Sequence, residues 1–347
     1  MALSDDQIAD LVAGTLKDLG RGRYTELATD LQGFEVLPRV LKKGKINFIA
    51  NGTGVQRNIM IDDGGAAKHV GLFSEDVTSA PDHLAQYTVP WRHSQTHWVF
   101  DRRETQMNSG PSAIVDMVKM RRAGAMISLA KLMEQSFFGK PVDSSDNITP
   151  FGLDYWITPS QTQGFNGGNP SGFAAGAGGI DSAAYPRWAN YTDGYTTVNK
   201  ADLITKMRKA HRLTNFVSPI SIPDYRKGAG QNFRIYVNEV TIAALETLGE
   251  AQNENLGRDL ASMDGMITFR KNPLVYVPYL DADTTDPVRM INWNSFHINF
   301  LKGEYLRQDG PQKKADAHNV FEAHIDLTWN TDCDNRRLHA DIRKSSS

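Results

Sequence analysis

Residues 110–141, GPSAIVDMVKMRRAGAMISLAKLMEQSFFGKP, predict one long helix, and a rod of that length restricts what the rest of the chain can build. Pro111 suits a first turn, where a missing N–H costs nothing, and Gly139 with Pro141 supplies the stop. Between them Ala, Met, Leu, Lys and Glu dominate, residues that lose little side-chain freedom in a helix. At 1.5 Å per residue, about 26 residues extend for roughly 40 Å, unusually long for a globular domain. Val115, Val118, Met126, Leu129 and Met133 make its apolar face, and Lys119, Arg121 and Arg122 a basic band. Much later, VFEAHIDLTW alternates with period two. Phe321, Ala323, Ile325, Leu327 and Trp329 point one way, and Glu322, His324, Asp326 and Thr328 the other. This is a long half-buried strand, expected to form the backbone of one domain together with the rod.

Ahead of the rod the chain reads as extended. VQRNIMI alternates into the turn DDGG, and a second β-rich run begins at Tyr87. The stretch between them, HVGLFSEDVTSAPDHLAQ, has mixed patterning, so the whole looks like a two-stranded excursion. Such an arm buries little of itself and needs a partner surface.

The run PWRHSQTHWVFDRRE, residues 90–104, looks at first like a metal site. On a helix His93 and His97 would share a face. Pro90 and the β-branched and aromatic residues favour a strand, on which four residues span about 13 Å, too far for two imidazoles to chelate one ion. His318 and His324, about 20 Å apart on a continuous strand, fail in the same way. His324 and Asp326 share a polar face open to a third group from elsewhere in the chain.

No G-x-S-x-G, H-E-x-x-H, C-x-x-C or EF-hand pattern occurs, and the single Cys333 excludes an intrachain disulfide or a multi-cysteine metal site. The sequence therefore points to no catalytic, metal or cofactor-binding residues. With 347 residues, 40% hydrophobic and 22% charged, the composition is that of a folded protein with no membrane-spanning run. A net charge of −2 argues against tight, sequence-independent gripping of nucleic acid.

Residues 4–19 carry a capped amphipathic helix signal: Ser4 and Gln7 as a capping box, Ile8, Leu11, Val12, Leu16 and Leu19 on one face, and Gly20 as the stop. Residues 144–199 are rich in Gly, Asn and aromatics. QGFNGGNPSGFAAGAGG fails the context of a phosphate loop, so an irregular ordered loop pinned by Phe165, Phe173, Tyr185, Trp188 and Tyr191 is expected. Next come a helix at NKADLITKMRKAHRL, a strand at RIYVN, a helix at TIAALETLGEAQNENLG, a strand at ITFRKNPLVYVPYLD and a β pair in MINWNSFHINFLKGEYL.

VPWRHSQTHWVFDRRETQMNSGP leading into the rod, RRAGAMISLAKLMEQSFFGKP, FGLDYWI, GFNGGNPSGF, GIDSAAYPRWANY, EAQNENLGRDLASMDG and LVYVPYLDAD, in this order, resemble the major capsid proteins of tailed bacteriophages. The resemblance covers almost the whole chain and implies an α+β, Hong Kong 97-like fold. It divides the chain into an N-terminal arm at 1–49, an extended loop at 50–106, a peripheral domain with spine helix and Gly-rich connection at 107–199, an axial domain at 200–315, and a returning strand with C-terminal tail at 316–347. It implies no enzyme and no cofactor. The expected role is a virion shell of pentamers and hexamers, assembled in the host cytoplasm, that encloses double-stranded DNA with only weak non-specific contact.

The implied partners are further copies of the chain, a portal and, because only about 50 residues precede the loop, a separate scaffolding protein or none; decoration proteins are further candidates, and no membrane is involved. Trp91, Trp98, Arg102, Arg103 and Lys68 are the expected intersubunit contacts. The alternatives are an encapsulin-like nanocompartment shell and, in a different class, a soluble enzyme or glycan-binding protein using the loop at 164–191.

Overall fold

The computed structural model describes residues 35–36, 46–50, 52–61, 65, 67–72, 84–107, 117–215, 232–253 and 268–345; the expected helix at 4–19 and the start of the rod at 111–116 lie outside them. Strands β1 (Asn47–Ile49), β2 (Gly54–Met60), β3 (Leu84–Pro90) and β4 (Arg92–Asp101) come first. They are followed by helix α1 (Arg102–Met107), the long helix α2 (Met117–Phe138) and one helical turn, α3 (Leu153–Trp156). Then come β5 (Gly164–Gly167), β6 (Asn190–Tyr195), α4 (Leu203–Thr214), β7 (Phe233–Val237) and α5 (Glu239–Asn253). The remaining strands are β8 (Thr268–Phe269), β9 (Asn272–Tyr276), β10 (Val288–Asn292), β11 (Phe296–Leu301), β12 (Arg307–Lys313), β13 (Val320–Cys333) and β14 (Ala340–Lys344).

Two sheets and a ribbon result. The first sheet is built around β13, which pairs antiparallel with β11, β12 and β4, while the short β1 pairs parallel with β11. The second has seven strands in the order β5-β6-β14-β10-β7-β9-β8. Strands β2 and β3 pair only with each other, Gly54 opposite Pro90 through Met60 opposite Leu84.

The period-two reading of β13 holds: Ala323, Ile325, Leu327 and Trp329 are buried, with Glu322, His324 and Asp326 on the opposite, half-buried face. Helix α2 lies against the apolar face, where Ala125 and Leu129 pack on Trp98, Ala323 and Ile325. Burial of this kind contributes roughly 1.5–3 kcal/mol per large side chain and is what makes the rod stable. Phe321, expected inward, is half-buried and stacks on Phe100 across the strand pair at 5.5 Å.

The apparent β pair at 290–306 is not a hairpin. β10 sits between β14 and β7 in the seven-stranded sheet, whereas β11 pairs with β13 in the other. The chain therefore crosses between sheets at 293–295, and it crosses back at 334–339, where the expected C-terminal tail becomes β14, an interior strand of the larger sheet. Charges conceal that role in the sequence. Fully buried Asp341 lies 3.0 Å from Arg343 and 3.8 Å from buried Arg289, which itself reaches Asp154 at 2.7 Å. Along the chain the sheet changes at 50–53, at Trp91, between 102 and 163, at 293–295 and at 334–339.

The Gly-rich connection is ordered by Phe173, Trp188 and Tyr191, which are buried, and by Phe165, which is half-buried; Tyr185 is 45% exposed and pins nothing. Gly178 has φ +68°, and a Cβ there would lie 2.9 Å from the Cβ of Tyr87, so only glycine lets this loop close under the ribbon.

Candidate assembly surface

The base of the ribbon is fixed to its own chain. Val55, Tyr87 and Val89 are buried in the main aromatic core. Arg57, opposite Tyr87 in the register, reaches Asp332 at 2.6 Å and Asp334 at 3.6 Å. Asp332 is fully buried and also accepts from Asn299 Nδ2 at 2.9 Å. The Tyr87 hydroxyl donates to the Cys333 carbonyl at 3.0 Å, and burial together with Asp332 and Asp334 pushes this phenol well above its ordinary range, so it stays a donor. Beyond this clamp Met60 is 56% and Leu84 66% exposed while Ile61 stays buried in the main core, and Lys68 lies exposed between the strands in sequence.

The stretch PWRHSQTHWVFDRRE starts at the ribbon's last residue and then leaves it. Residues Arg92 to Asp101 pair along their whole length with β13, and Arg102–Met107 turns into a helix rather than continuing extended. Arg102 donates its backbone N–H to Asn319.

Trp91 and Trp98 are 9% and 7% exposed within their own chain, so neither presents much surface to a neighbour. Trp91 donates its indole N–H to Gly52 at 2.9 Å, and Trp98 packs under α2, with the Arg122 guanidinium 6.0 Å from its ring. The arginines face outward. Arg103 is 57% exposed at its side chain and, among the described residues, pairs with Asp101 at 3.4 Å, a contact of little energetic weight. The Arg102 side chain is likewise exposed. Arg121 instead braces the corner, bonding Glu104 at 2.7 Å and the Val99 carbonyl at 3.0 Å.

The histidines of β4 stand on the strand's open face. His93 Nδ1 lies 2.8 Å from Thr328 Oγ1, and His97 lies opposite His324, their ring centroids 5.9 Å apart. Arg92, silent in the sequence, donates to the carbonyls of Asp146, Asn147 and Thr149 and so ties down a loop that exposes Val142 and Ile148. In that loop the Asp146 carboxyl is lowered to about 2, mainly by backbone N–H groups of Thr149 and Ile148.

The crossover at 334–339 was also invisible to sequence reasoning, because its partners come from distant segments. Arg336 is fully buried and donates to the carbonyls of Trp156 (2.6 Å), Trp188 (2.8 Å) and Gly168 (2.9 Å), with longer bonds to Thr158 Oγ1, Gly167 and Asn190 Oδ1. Burial lowers its pKa to about 10, which leaves it charged at neutral pH.

His339 accepts the Asn292 N–H at Nδ1, so Nε2 carries the proton and faces Ser295 Oγ at 3.0 Å and Cys333 Sγ at 3.3 Å. Burial, with Arg336 and His297 adding repulsion, lowers His339 to about 3. The unfolded chain therefore binds a proton that the native chain refuses, and stability is lost as pH falls below the ordinary histidine value of about 6.5. Urea unfolding of the unassembled subunit should show a loss near 1.4 kcal/mol per pH unit in that window from this group, and His339→Gln should make the slope shallower by that amount.

No protein-family model matches the chain, and no curated protein matches it in sequence. Solved structures do match, nearly end to end. The capsid asymmetric unit of cyanophage A-1(L) is similar at a TM-score of 0.61 and 16% identity, over 95% of this chain and 98% of that one. The capsid of the native GTA particle gives 0.57 and 12%, over 96% and 98%. The capsid of Myoviridae phage XM1 gives 0.51 and 10%, over 93% and 97%. A long helix against the β13 sheet, a seven-stranded second sheet and a projecting ribbon, matched over such spans, make this chain's fold the α+β, Hong Kong 97-like fold of tailed-phage capsid proteins.

Proposed function

We propose that the chain is a major capsid protein that self-assembles into the icosahedral shell of a tailed bacteriophage around packaged double-stranded DNA. The observation that carries this reading is the near-complete overlap with a capsid subunit, 95% of one chain on 98% of the other. A structural rather than catalytic role follows. On this reading the β13 sheet with α2 is the peripheral domain, the seven-stranded sheet is the axial domain, and the ribbon is the extended loop that lies on a neighbouring copy. Pentamers and hexamers of the chain, a portal and a separate scaffolding protein complete the assembly, with decoration proteins as outside partners. A net charge of −2 suits a container that must hold DNA without many tight phosphate contacts.

Negative-stain microscopy and sedimentation of the purified chain, alone and co-expressed with its phage neighbours, test this: closed shells with nuclease-protected DNA are expected in the infected cell. A monomer or dimer under every condition overturns the proposal, and shells that carry protein cargo instead of DNA redirect it to a nanocompartment.

Of the contacts expected from the sequence, Arg102, Arg103 and Lys68 remain available to a neighbour. Reversing both arginines to glutamate should block particle formation while the subunit's circular dichroism stays native. Normal particle yield from that variant would remove them from the interface.

A further inference from the structure

The β4–β13 register brings together two histidines that the sequence keeps far apart. His97 and His324 are directly opposed, exposed or half-buried, with ring centroids 5.9 Å apart and planes tilted by 37°. Nitrogen bound at about 2.1 Å puts an imidazole centroid about 3.2 Å from a zinc-type ion, so two rings at a tetrahedral angle have centroids about 5.2 Å apart. The observed spacing needs only a small closing movement to meet that. Glu322 lies on the same strand face, its Oε1 4.0 Å from His324 Nε2, and Asp309 of β12 stands opposite His324 on the other side. Gln95, Asp326 and Arg307 form the next row, and Arg307 is already held by Asp326 at 2.9 Å and Glu304 at 2.7 Å. Among the described residues no three such ligands already converge on one point, so the pair offers two nitrogens, with Glu322 and water to complete the set.

We propose that His97 and His324 form a cross-strand binding site for a borderline divalent transition cation, Zn²⁺ or Cu²⁺, which staples β4 to β13. Imidazole ligands exclude Mg²⁺ and Ca²⁺, which take oxygen. His93, on the same face, is not part of the site, because it stands opposite Thr328, about 13 Å along the strand from His97. The staple acts on the strand that leads straight out of the ribbon, and it concerns the subunit whether or not the subunit builds a shell.

Calorimetric titration of the purified full-length chain with Zn²⁺ near neutral pH should show one ion per chain. Binding should weaken about tenfold or more in His97→Ala and in His324→Ala, with His93→Ala unchanged. Cu²⁺ loading should give an electron paramagnetic resonance spectrum with two coupled nitrogens, lost in either variant. Both side chains lie on the open face, so circular dichroism should show the variants folded. Equal Zn²⁺ affinity in the wild type and the His97→Ala/His324→Ala variant, or an equal loss in His93→Ala, overturns the site.

Discussion

Replacing Arg336 with methionine should cost the unassembled subunit on the order of 4 kcal/mol or more, enough to remove most of the margin of a typical domain. The side chain fits roughly in volume, but the carbonyls of Trp156, Trp188 and Gly168 would lose a charged donor in a site sealed from water. Each buried acceptor left without a partner costs about 1–3 kcal/mol. Those three carbonyls come from α3, the Gly-rich connection and the approach to β6, so one guanidinium ties together segments that bracket the crossover between the two sheets. Lysine should recover only part of the loss, because an ammonium cannot reach three carbonyls with the planar fork of a guanidinium. Urea unfolding followed by tryptophan fluorescence measures this, and a methionine variant within about 1 kcal/mol of wild type would refute the account.

Arg57→Ala should loosen the ribbon more than it unfolds the subunit. It strands the Asp332 carboxylate, fully buried and left with Asn299 as its main donor, at a cost of about 2–3 kcal/mol once the partial exposure of Arg57 is allowed for. Hydrogen exchange should rise at residues 54–57 and 87–90 while the seven-stranded sheet keeps its protection. The double variant Arg57→Met/Asp332→Asn should recover part of the loss, since no orphan charge remains, and the shortfall from additivity measures the coupling. If the ribbon is the loop that reaches a neighbour, assembly yield should follow the exchange rates: lowest for Arg57→Ala, intermediate for the double variant. Unchanged exchange in Arg57→Ala would show that Tyr87 and Val89 hold the ribbon without the ion pair.

The rod and β13 could be read directly because each carries its own period over more than ten residues. The same local reading misjudged the segment from β10 to β11, since two apolar runs around a short polar turn look like a hairpin. Three-dimensional partners decide otherwise. His339 takes the Asn292 N–H, Ser295 accepts the Asp334 N–H, and the two runs enter different sheets. β14 escaped notice for the opposite reason: Asp341 and Arg343 read as surface, but Asp341 is buried against Arg343 at 3.0 Å and Arg289 at 3.8 Å, and Arg343 also holds Asp283 at 2.8 Å. Trp91 and Trp98 looked like contact residues by type, but both are consumed by their own chain, and of the named contacts only the arginines and Lys68 still face outward.

The sequence by itself determined the periodic elements, the two-stranded ribbon and the dismissal of a His93–His97 chelate, because each follows from spacing along one segment. Only the tertiary structure decided which sheet each strand joins, which charges are buried, and that His97 meets His324. Those outcomes depend on register between strands distant in the chain, and a shift of one residue in β13 against β4 would have put the two histidines on opposite faces of the sheet.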